Sequence, residues 1–210
     1  RDLERAARVY EEEIYPRVTA VFGKEWTPGV DNDPHLTILH ARIRGAAGYF
    51  SSVDEYPASV RENSNQREMI YMDAGSLDVG SRRYLGVLAH ELQHAIQWNG
   101  DRTEELWINE GLSEVAKWVA GYDPTTPRAF LRSPTISMIN WPHQADPYYG
   151  ASFLFLDYLA NHYGSHEDLA KLVKEPLDGI AGIDAYLARL GYRETFRDLF
   201  RDWTVANYLD

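Results

Sequence analysis

The chain has no cysteine among its 210 residues. That excludes disulfide frameworks, thiolate nucleophiles and cysteine-ligated zinc. It also lacks any uninterrupted apolar run of the roughly 18 residues that a membrane span needs. Basic residues are outnumbered: 21 Lys and Arg stand against 32 Asp and Glu, a formal net charge of −11. Such an acidic chain is poorly suited to nucleic acid or to anionic membrane surfaces. There is no internal repeat, no low-complexity tract and no Asn-x-Ser/Thr sequon. Starting at Arg1, the chain reads as a mature fragment, and any signal peptide would lie outside it.

What remains is ordinary for a folded domain, with 44% hydrophobic and 25% charged residues. Residues 2–22 repeat apolar positions at helical spacing, with Pro16 expected to kink or split the helix. Residues 35–43, 47–50 and 69–72 read as three strands, and residues 51–68 as mostly loop. The period then changes to helical. Two helices are expected over 82–98 and 104–120, a proline-stiffened excursion over 122–147, and a helix from Pro147 to about His162. Two or three more helices fill 166–209. The order predicts an α+β fold, with a small N-terminal mixed sheet and helices followed by a helical C-terminal subdomain. Residues 1–99 and 100–210 would form the two parts of one unit.

The stretch Leu88–Ala95 contains His90-Glu91-x-x-His94. Four residues is close to one helical turn, so both imidazoles leave the same face and can reach one divalent cation. Glu91, one step round the helix, can sit beside that ion without ligating it and can take a proton from water. Fifteen residues separate His94 from Glu110. That lets the chain reverse and lay a second helix alongside, so Glu110 can become a third ligand. Glu114, one turn further, can accept the free ring N–H of a ligand histidine. This second helix is otherwise largely apolar, and two carboxylates on it need a partner or cost several kcal/mol. One zinc ion with its histidines would be that partner.

His90-Glu91-x-x-His94 with Asn109-Glu110-Gly111-Leu112-Ser113-Glu114 resembles the gluzincin metallopeptidases, among them the thermolysin and aminopeptidase N groups. The wording of residues 84–121 is similar to the hyicolysin-type and immune-inhibitor-A-like bacterial peptidases, with a shorter spacing to the glutamate than in thermolysin. The resemblance implies a zincin catalytic architecture, zinc held by His90, His94 and Glu110, Glu91 as general base, and Glu114 behind the ligands. It implies a peptide or protein substrate, and secretion or a cell-surface location. A gluzincin also needs an oxyanion donor. Tyr149, before Gly150-Ala151, ranks first, then Tyr148 and His143. Substrate is expected along a strand edge, best supplied by Tyr71, Met72, Asp73 and Ala74, with Ala46–Gly48 as the alternative. The competing reading is a peptide- or partner-binding protein on a peptidase fold with a weak or inactive site.

Asp31-Asn32-Asp33 lacks the spaced ladder of a calcium loop and reads as a turn. His35, His40, His162 and His166 show no ligand spacing. Trp141, in the proline-rich stretch, is the one tryptophan placed to serve a binding surface.

Overall fold

A computed structural model describes residues 1–141 and 146–209. The chain opens with a helix in three registers: α1 (Asp2–Val9), a π-helical stretch (Tyr10–Ile14) and α2 (Tyr15–Phe22). Pro16 explains the middle register. It has no N–H to donate and its ring would crowd the carbonyl four residues back. The wider π turn, with the Tyr15 N–H reaching Tyr10 O, takes up that misfit without breaking the axis. Gly23, at φ 95°, ends the helix.

Three strands follow: β1 (Thr37–Ala41), β2 (Gly48–Phe50) and β3 (Met69–Asp73). Their order is β1-β3-β2, so the last strand in sequence is central. β1 runs parallel to β3 and β2 antiparallel to it. All five residues of β3 are buried. Ile70 and Met72 join the main core, while Tyr71 stacks on Tyr49 with ring centroids 4.3 Å apart.

α3 (Arg82–Gly100) is capped by Ser81, whose hydroxyl accepts the Tyr84 N–H at 3.2 Å. Leu85, Leu88, Leu92 and Ile96 bury one stripe of it. α4 (Leu106–Val119) lies beside α3 and buries Ile108, Leu112 and Val115 in the same core. Then come α5 (Pro127–Arg132), α6 (Asp146–His162), α7 (Leu169–Val173), α8 (Gly179–Arg189) and α9 (Phe196–Leu209). The fold is α+β, a small mixed sheet with mostly helices. One core cluster takes residues from both the sheet half and the helical half. None of the described helices is long and apolar enough to cross a membrane.

Gly111 sets the α4–α6 distance. A Cβ there would lie 2.7 Å from Leu156 Cδ1 and 3.0 Å from the Ser152 carbonyl oxygen. Gly111→Val should therefore lower the unfolding free energy by about 1–3 kcal/mol through overpacking. Chemical denaturation measures this, and an unchanged midpoint would mean that the two helices adjust freely.

Candidate metal centre

α3 and α4 present their polar residues to each other. His90, His94 and Glu110 form a group whose ligand atoms lie within 4.8 Å of one another. Glu110 Oε2 is 3.1 Å from His90 Nε2 and 3.5 Å from His94 Nε2, and the two Nε2 atoms are 3.1 Å apart. Ligands at 2.0–2.1 Å in a tetrahedron stand about 3.3 Å from each other. The triangle thus has the size of one face of such a coordination shell, and two imidazoles with a carboxylate suit a divalent cation.

Each imidazole is fixed from behind. His90 Nδ1 is 3.0 Å from Glu114 Oε1, so its Nδ1–H donates there and its Nε2 lone pair faces the group. Glu114 is itself held by Lys117 Nζ at 3.2 Å and by the Thr125 N–H. His94 Nδ1 lies 2.7 Å from Asn109 Oδ1 and 3.1 Å from Ser113 Oγ. Ser113 Oγ also donates to Gln93 Oε1 at 2.6 Å. Spacing in the sequence points to Glu114 but not to Asn109 or Ser113. Their i, i+4 spacing puts them on one face of α4, but only the rotation of α4 against α3 brings that face to His94. Asn109→Ala should weaken metal binding by about 10–100-fold while leaving all three ligands in place. Competition with a chelating dye reads this directly, and unchanged affinity would remove Asn109 from the site.

The electrostatics favour positive charge at this spot. Burial opposes a charge on His90, yet its hydrogen bonds with Glu110 and Glu114 carry it up to about 10. Burial would raise Glu110, but the two histidines outweigh it and hold the carboxyl well below the usual range. Glu91 differs: burial raises its carboxyl, with His90 and His94 pulling the other way. It stands outside the ligand group and takes a hydrogen bond from the Phe50 N–H.

A cleft of about 370 Å³ borders the group, with Gly48, Tyr49 and Phe50 on its β2 side and Tyr149 also lining it. The Tyr149 ring centroid is 6.2 Å from that of His90 and 4.9 Å from that of Trp141. Burial, then the charges of Glu110, Glu114 and Glu91, push its phenol far up, so it stays a proton donor. Tyr148 does not line the cleft; it packs on Trp141 with centroids 5.7 Å apart. His143 lies outside the described residues.

The expected substrate strand needs correction. Tyr71, Met72 and Asp73 lie in β3, which is paired on both sides, and the Ala74 N–H is bonded to Ala41 O. A central strand has no free edge to offer. The edge at the cleft is β2, into which the alternative stretch 46–48 leads. The Asp73 N–H donates to Ala47 O at 2.8 Å, and the register is one to one. Bonded pairs alternate in an antiparallel ladder, so Gly48 and Phe50 turn their N–H and C=O groups away from β3.

No family model matches the chain, and no curated protein matches it. Fold and site together define an α+β protein with a two-histidine, one-glutamate group that could hold a metal ion.

Proposed function

We propose that the chain is a zinc-dependent metallopeptidase of the gluzincin type, built on a zincin-like fold, that hydrolyses internal peptide bonds. One observation carries the reading: three donor atoms converge at tetrahedral spacing, with a buried, non-ligating Glu91 beside them in an open cleft. Two nitrogens and one oxygen from three side chains leave a coordination position open, as catalytic zinc sites do.

A bound zinc ion would supply Lewis acidity, making water easier to deprotonate and a carbonyl easier to attack. Glu91 takes the proton from the attacking water and returns it to the leaving nitrogen. Burial suits that role, since it raises the carboxyl toward the working pH. The Tyr149 hydroxyl donates a hydrogen bond to the oxygen that gains negative charge. Gly48, on the open edge of β2, pairs with the substrate backbone. Glu114 and Asn109 hold the ligand rings in their tautomers. Internal cleavage is favoured because space extends both ways: about 370 Å³ toward Trp98 and about 240 Å³ toward Val87 and Lys117. A secreted or cell-surface peptidase fits the sequence resemblance.

The test is hydrolysis of quenched fluorescent peptides before chelation, after it, and after zinc is restored. Activity should vanish and return. Turnover that persists in the metal-free protein would refute the reading.

A further inference from the structure

The cleft continues beyond the metal group. A Cβ on Gly48 would lie 2.8 Å from Val87, and the Phe50 N–H reaches Glu91. Two residues of β2 thus match four of α3, about 7 Å against about 6 Å, so strand and helix run side by side in the same direction. Along that line Ser52 and Trp98 come next, and Arg102 closes the cleft. The Arg102 guanidinium carbon lies 4.1 Å from the centroid of the Trp98 ring. The indole in turn is packed by Trp26 and Tyr56, each at 5.9 Å.

This cation is unpaired among the described residues. The arginines in ion pairs are Arg5, Arg17, Arg67, Arg82, Arg189 and Arg201. Neighbouring carboxyls are engaged elsewhere. Asp101 Oδ1 accepts the Thr103 N–H and hydroxyl, both at 3.0 Å, and its Oδ2 is buried without a partner, outside ion-pair distance of Arg102. The Glu55 carboxyl is pushed up to about 9 by burial and by Glu68, against the pull of Arg102, and forms no ion pair with it. An acidic protein therefore keeps one free guanidinium, braced on an aromatic ring, in the cleft that borders the metal group.

We propose that Arg102, held on Trp98, is a carboxylate-binding subsite that selects peptides carrying Asp or Glu on the amino-terminal side of the cleaved bond. The side follows from direction. β2 runs toward Arg102, so a peptide lying antiparallel to its open edge has its amino-terminal part there. Trp98 stands one turn, about 6 Å, beyond His94 on α3, and Arg102 stacks on its ring, so the subsite lies at least about two residues of extended peptide from the metal group. The selectivity rests on the peptidase reading; the carboxylate site itself does not.

The experiment uses zinc-loaded Glu91→Gln protein and labelled peptide pairs in which Glu replaces Gln at one position at a time, with binding read by fluorescence anisotropy. At the selected position Glu should bind about fivefold tighter than Gln, the strength of a well-formed exposed ion pair. Arg102→Gln should erase the difference between the Glu and Gln peptides, and high salt should shrink it. Cleavage of the same pairs by the Glu91-containing protein is measured alongside. Equal binding of Glu and Gln at every position, or a preference that survives Arg102→Gln, overturns the subsite. A preference confined to positions after the cleaved bond overturns its assigned side. An Arg102-dependent preference with no cleavage of any peptide upholds the subsite and defeats the peptidase reading; cleavage without the preference does the reverse.

Discussion

Glu91→Gln should retain a full complement of zinc and lose about 10³-fold in peptide hydrolysis, the scale of a general base removed. Gln keeps the size of the side chain and an oxygen that can accept the Phe50 N–H. It cannot take a proton from water. Glu91 stands outside the ligand group, so metal affinity has no reason to fall. The protein should also be no less stable, because a buried carboxyl becomes a neutral amide. Metal content by mass spectrometry and kcat/KM on one peptide give the two numbers. Loss of both would make Glu91 a ligand; loss of neither would move the base elsewhere.

His94→Ala should abolish both zinc binding and hydrolysis. The change removes one of three donors and strands the groups behind it, since Asn109 Oδ1 and Ser113 Oγ both lose a partner. Stability separates this loss from simple unfolding. An ion bound at 1,000 times its dissociation constant stabilises the folded state by about 4 kcal/mol. Zinc should raise the melting temperature of the parent protein by several degrees and leave that of His94→Ala unmoved. The zinc-free variant should still melt cooperatively, because the apolar stripe of α3, Leu88, Leu92 and Ile96, does not involve His94. A zinc-dependent shift that survives the substitution would place the ion elsewhere.

Helical spacing made the metal group legible before any coordinates. His90 and His94 had to share a face, and Glu110 needed only a turn to come beside them. The edge strand was not legible in the same way. β2 is three residues long and includes Gly48, too short for an alternation to show. Tyr71–Ala74 reads as the better candidate because it immediately precedes the helix of His90 and His94, yet it continues the apolar run Met69–Met72. That continuous run instead marks a strand buried on both faces and paired on both edges. Pro127 reads as part of a loop, yet it sits in the first turn of α5, where its missing N–H costs nothing. The part played by Asn109 depends on how α4 is rotated against α3, which no spacing within one helix reveals.

A metal held by His90, His94 and Glu110, acting with Glu91, is proposed to cut peptide bonds. The most direct test is a diverse peptide library incubated with zinc-loaded protein and read by mass spectrometry for new termini, with zinc-loaded Glu91→Gln as control. Cleavage products are expected from the parent protein and almost none from the control at equal zinc content. No cleavage by a stoichiometrically loaded parent protein, or equal cleavage by both, would contradict it.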